Sequence, residues 1–121
     1  MQGFDDVKLT WGGSEYVVPA DRVFELVRRV EDILMNGGSV PAFVRLLQSK
    51  VSQSNLAAAY AEALRFAGAQ VTPQDVYLSI MNDFAADSAS AARKVQDAVI
   101  GLLCIISPPM AAEIIGPGEK K

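Results

Sequence analysis

The chain has no histidine and one cysteine among its 121 residues. Histidine is the commonest general base at neutral pH, so its absence excludes Ser-His-Asp and Cys-His arrangements for nucleophilic catalysis. A single cysteine excludes a disulfide scaffold, and with no histidine beside it a zinc site within one chain is excluded as well. Cys104 lies in the apolar run GLLCIIS, where it reads as a small buried hydrophobe, with a reactive thiol as the alternative.

Positive charge is also scarce. Eleven basic residues face 14 acidic ones, for a formal net charge of -3. The basic residues are scattered singly apart from Arg28-Arg29, Arg93-Lys94 and Lys120-Lys121, so no basic stripe is present to neutralise phosphates, and nucleic acid is not an expected partner. Long apolar runs are missing too. The most apolar stretch, 98–106, is less than half of the roughly 20 residues that a membrane span needs. The opening MQGFDDVKLTW has neither a basic leader nor an apolar run, so no signal peptide is expected. A cytoplasmic protein with no membrane contact follows as the expectation.

Nucleotide-binding loops are not evident. WGGS and NGGS are glycine turns without a following Lys-Ser or Lys-Thr. Asp5-Asp6 falls in a strand approach and Glu31-Asp32 on a wet helix face, which suits solvation better than catalysis. DSAS precedes a helix, where capping accounts for Asp87 and Ser88. No catalytic, cofactor-binding or metal-ligating residue is therefore assigned, no cofactor is expected, and the chain is not expected to be an enzyme.

Half of the residues are hydrophobic and 21% are charged, and the length suits a single domain over 1–121 with one core. VKLTWGGSEYVV predicts a β-hairpin within about 4–18, turning at Gly12 and Gly13, which can adopt positive φ. That turn pairs Leu9 with Tyr16 and Val7 with Val18, gathering Val7, Leu9, Trp11, Tyr16 and Val18 on one apolar face. Such a hairpin needs helices or another chain's strands to cover it.

Five helices are expected, over about 21–35, 39–49, 54–67, 72–85 and 88–107. The first, with Asp21 as its cap, buries Val23, Leu26, Val27, Val30, Ile33 and Leu34 and ends at Asn36-Gly37-Gly38. The second starts at Ser39 with Pro41 in its first turn. The third, capped by Ser54 or Ser52, carries the stripe Leu56, Tyr60, Ala63, Leu64 and Ala67 among many alanines. In LRFAGAQVTPQDVYLSI, Gly68 stops that helix, Thr72 caps the fourth, Pro73 occupies its first turn and Asp75 its N3 position. The fourth helix is expected to bury Val76, Tyr77, Ile80, Met81 and Phe84. In the fifth, Ala92, Val95, Val99, Leu102, Leu103 and Ile106 form an apolar stripe. Arg93 and Asp97 begin the opposite side, which continues as Ile100 and Cys104. Pro108-Pro109 ends it, and 116–121 is expected to be a mobile tail. The fold class is α+β, mostly α.

This order of parts resembles the small tail assembly chaperones of long-tailed bacteriophages, and in particular the related gene transfer agent and prophage family. The resemblance rests on the hairpin VKLTWGGSEYVVP, the helices FELVRRVEDIL and VPAFVRLLQSK, and LAAAYAEALRFAGAQVTPQDV. Within the last, Leu64, Arg65, Gly68, Val71, Thr72, Asp75 and Val76 make the helix end, glycine turn and helix start that recur in the family. The resemblance implies a non-enzymatic protein of the bacterial host cytoplasm. It would bind the long, helix-rich tape measure protein, keep it soluble during tail assembly, and then be displaced. On that reading Ile100, Leu103, Cys104 and Ile106 are the expected partner-binding residues, with the hairpin edge as a further strip, and a homo-oligomer is a natural accompaniment. The alternatives are a structural tail connector or completion subunit retained in the virion, and a small cytoplasmic protein-binding regulator.

Overall fold

The computed structural model describes residues 6–48 and 51–107. In chain order these form β1 (Val7–Trp11), β2 (Ser14–Val18), α1 (Ala20–Met35), α2 (Ala42–Leu47), α3 (Gln53–Phe66), α4 (Pro73–Ala86) and α5 (Ser88–Ile106). The class is α+β, mostly α, as the sequence predicts. The expected hairpin residues before Asp6 and the expected tail 116–121 lie outside the described residues.

Gly12 and Gly13, at φ 59° and 83°, turn the hairpin in the anticipated register: Val7 pairs with Val18, Leu9 with Tyr16 and Trp11 with Ser14. Val7, Leu9 and Val18 are buried while Trp11 and Tyr16 are half-buried. The cover comes from α3 and α5. Tyr60 of α3 fastens the strand: its hydroxyl donates to the carbonyl of Thr10 at 3.0 Å and accepts the Thr10 N–H at 3.4 Å.

Burial pushes the Tyr60 phenol above its ordinary value of 10.0; hydrogen bonding to Thr10 opposes the rise and the nearby charge of Asp97 adds to it. A folded-state pKa above the unfolded one favours the folded state while the phenol is protonated. That contribution is complete below the unfolded value and is lost as pH rises through the folded one. The native chain should therefore show a fall in urea midpoint at alkaline pH that is smaller in a Tyr60→Phe chain. Equal falls in the two chains would mean that Tyr60 ionises as freely folded as unfolded.

Helix α1 buries Val23, Leu26, Val27, Val30 and Leu34, with Ile33 half-buried. Its N-terminus differs from the expectation. No side chain caps it locally, and Asp21 stands in the first turn, where its charge suits the helix dipole. The Ala20 N–H instead donates to Oδ1 of Asp6 at 2.8 Å, so the segment leading into β1 satisfies the first turn of the following helix. Asn36, at φ 50°, and Gly37, at φ 81°, end α1 in left-handed backbone.

Helix α2 (Ala42–Leu47) starts three residues later than the expected 39–49, and position 49 of that range lies outside the described residues. Pro41 has an extended ψ of 145°, and a proline keeps the residue before it out of helical backbone. The helix can begin only after it. 

Helix α3 lies at the centre, against α1, α4, α5 and both strands. Ala57, Ala59, Ala61 and Ala63 are fully buried beside Leu56, Tyr60 and Leu64, so the expected single stripe is widened into burial on nearly every side. Small side chains make that possible by letting neighbouring backbones close in. Ser52 caps the helix, accepting the Asn55 N–H at 3.1 Å. At the other end the Ala69 N–H bonds the Leu64 carbonyl and the Gly68 N–H the Arg65 carbonyl, at 2.9 and 3.0 Å. This is a Schellman turn, with Gly68 at φ 103° supplying its left-handed residue.

The corner then closes with a reciprocal capping box. Thr72 Oγ1 accepts the Asp75 N–H at 3.1 Å, and Asp75 Oδ2 accepts the Thr72 N–H at 3.0 Å. Pro73 is the first residue of α4. These caps set where α3 ends and α4 begins, and hence which face of α4 turns inward.

Candidate protein-binding surfaces

Helix α4 packs mainly against α3 and α5. Only Val76 and Ile80 of its apolar residues are buried. The expectation that Tyr77, Met81 and Phe84 join them is corrected. Tyr77 is 36% exposed, Leu78 47% and Phe84 41%, and Met81 is half-buried. Spaced at i, i+4 and i+7, Tyr77, Met81 and Phe84 share one face, and Leu78 stands beside them. They form an apolar strip along the outer side of the helix.

Helix α5 is capped by Asp87, whose Oδ1 accepts the Ala89 N–H at 3.0 Å. Its buried residues are Ala91, Ala98, Leu102, Leu103 and Ile105. The expected stripe is thus borne out in part: Leu102 and Leu103 are buried and Val95, Val99 and Ile106 are half-buried against the core, whereas Ala92 is exposed and Ala91, Ala98 and Ile105 shift the buried face to one side. Leu103, expected to touch a partner, is 1% exposed and belongs to the core; it has no surface to offer. Ile100, Cys104 and Ile106 are half-buried, with Ile100 and Cys104 one turn apart on the same side. Desolvation pushes the Cys104 thiol above its ordinary value, which favours the neutral, hydrophobic form over the reactive thiolate.

The hairpin edge is divided. On β1 the main chain of Thr10 is occupied by the Tyr60 hydroxyl, whereas Glu15 and Val17 of β2 are exposed.

Between the hairpin tip, α4 and α5 lies an open cleft of about 580 Å³, with Tyr60, Val76, Ile80 and Ala98 among its apolar lining. Lys94 crosses it. Its Nζ lies 2.8 Å from Asp83 Oδ2, donates to Ser79 Oγ at 2.7 Å, and sits 5.7 Å from the centre of the Trp11 ring. Its ammonium thus ties α5 to α4 beneath the hairpin tip. The sequence gives little warning of this cleft, since its parts come from four separated segments, the hairpin tip, α3, α4 and α5; pairs one helical turn apart, Ser79 with Asp83 and Arg93 with Asp97, are the local signs.

Among the described residues, no group of three His, Cys, Asp or Glu side chains is placed to hold a metal ion, and no helix is long and apolar enough to cross a membrane. Comparisons with protein-family models, curated proteins and solved structures gave no match to this chain.

Proposed function

We propose that the protein is a non-enzymatic tail assembly chaperone that binds the tape measure protein and keeps it soluble while the tail tube forms around it. The observation that carries this reading is the exposed apolar strip of α4 on a chain with net negative charge. An acidic domain remains dispersed while offering apolar side chains to a helical client. Each such contact is small, and many copies along one long client would act together through avidity. Placement in the bacterial cytoplasm, and self-association when no client is present, belong to the same proposal.

Co-expression with the long, helix-rich protein expected to be encoded immediately downstream tests it. The client should enter the soluble fraction only when this chain is present, in a complex whose mass by light scattering requires several copies, and finished particles should lack the chain. A client indifferent to the chain, together with enrichment of the chain in purified particles, would transfer the assignment to a structural tail subunit.

A further inference from the structure

The apolar strip of α4 coincides with an uneven distribution of charge. From Phe66 to Ala92, a stretch that contains all of α4, the chain has Asp75, Asp83 and Asp87 and no lysine or arginine. The remainder holds eleven acidic and eleven basic residues, so the whole formal charge of -3 belongs to this stretch. Within it, Lys94 reaches over from α5 to neutralise Asp83. Asp75 and Asp87 form no ion pair with a described residue, and both are exposed. They stand at opposite ends of the strip, separated by roughly 18 Å at the 1.5 Å rise of a helix.

From this we infer that the outer face of α4, through Tyr77, Leu78, Met81 and Phe84, docks an amphipathic helix whose apolar stripe is bordered by lysine or arginine. A helix laid along α4 would set its apolar side chains on the strip, and basic residues about twelve positions apart would meet Asp75 and Asp87 together. The inference deepens the client-binding reading and rests on it for expecting a helical protein partner.

A second copy of the chain is the poorer occupant on two grounds. Two α4 strips packed antiparallel would bring Asp75 of one copy beside Asp87 of the other, so that like charges meet at both ends. The strip also consists of four side chains, none of them more than half exposed, which is far less than the roughly 800 Å² per partner of a stable interface. Weak docking repeated along a long client suits the strip better than a stable dimer does.

The test uses the full chain and two labelled synthetic helices of equal length with the same leucine and phenylalanine stripe, one bordered by lysine and the other by glutamate. By fluorescence anisotropy at low salt, the lysine-bordered peptide should bind roughly tenfold more tightly, the scale expected when two or three exposed charge contacts change sign. That preference should shrink severalfold between about 0.05 and 0.5 M salt, as screening shortens the reach of the acids. Leu78→Glu should weaken the lysine-bordered peptide by about tenfold or more while leaving the circular dichroism spectrum unchanged, whereas Ile100→Glu on α5 should leave binding as it is.

Equal affinity for the two peptides at low salt, or binding of neither, would overturn the proposal; both measurements use the native chain and do not depend on a variant folding. Loss of binding in folded Ile100→Glu with retention in Leu78→Glu would also overturn it, by moving the site to α5. So would a native dimer by light scattering that Leu78→Glu splits. If the peptides fail while co-expression still solubilises the client, α4 is excluded and the chaperone reading stands on another surface. If the peptides bind while the client is indifferent, the docking face stands and the chaperone reading falls.

Discussion

Leu64→Ala should lower the unfolding free energy by about 3 kcal/mol, within the range for truncating a buried leucine. Leu64 is fully buried in α3, the helix that α1, α4, α5 and both strands pack against. The loss exceeds the transfer free energy of the removed carbons, because the resulting cavity has little to collapse into it. Its neighbours along the helix include Ala57, Ala61 and Ala63, all fully buried, whose side chains have no rotamers with which to fill space. The backbones they bring together are already close, and the Schellman turn and capping box fix the α3 to α4 corner. Against a total stability of about 5–15 kcal/mol for a domain of this kind, the change is large. Urea unfolding should show a lower midpoint with an unchanged slope. Leu47→Ala, at a leucine that is 42% exposed in α2, should cost about 0.5 kcal/mol or less. If the two substitutions cost the same, α3 is not the centre of the core.

The same helix shows which parts of this molecule can be read from its sequence. Short-range chemistry could be read directly. Two glycines between β-prone segments dictate the hairpin and its register, and Gly68, Thr72, Pro73 and Asp75 dictate the corner, because each acts through residues no more than four positions away. What depends on distant neighbours was not legible. Periodicity places Tyr77, Met81 and Phe84 on a common face, but it cannot say whether another element covers that face; α3 and α5 occupy only the adjoining side. On α5 the helical period holds, but the buried face is shifted toward Ala91, Ala98 and Ile105. With small or apolar residues on most sides from Ala98 onward, little contrast marks the inward direction, and the sequence alone does not separate Leu103, which lies in the core, from Ile100, Cys104 and Ile106. The Asp6 cap on α1 and the Lys94 bridge under Trp11 are contacts between segments that only the tertiary fold brings together.

Gly101→Val should cost about 2 to 3 kcal/mol, the scale of overpacking a filled interior, and should do so by displacing the hairpin from α5. Glycine within a helix is about 1 kcal/mol less favourable than alanine, so its presence in α5 needs a packing reason. The structure supplies one: a Cβ at Gly101 would lie 3.0 Å from Leu9 Cδ2 and 3.4 Å from Tyr60 Cε1. For alanine the two effects oppose each other. The terminal methyl of Leu9 can retreat by a few tenths of an ångström, and the helix is strengthened, so Gly101→Ala should remain near the native stability. Valine adds two further carbons in the same space, and neither Leu9 nor Tyr60 can yield far, because Tyr60 holds the main chain of Thr10 through its hydroxyl. The strand has to move. As β1 lifts, Trp11 should leave the Lys94 ammonium and the cleft beneath the hairpin tip should open to solvent. Trp11 is the only tryptophan in the chain, so its emission reports that movement directly. A red shift in Gly101→Val with native emission in Gly101→Ala is the expected pair of spectra, alongside a lower urea midpoint for valine alone. Native emission and stability in Gly101→Val would mean that the hairpin is seated by contacts other than the close approach of β1 to α5.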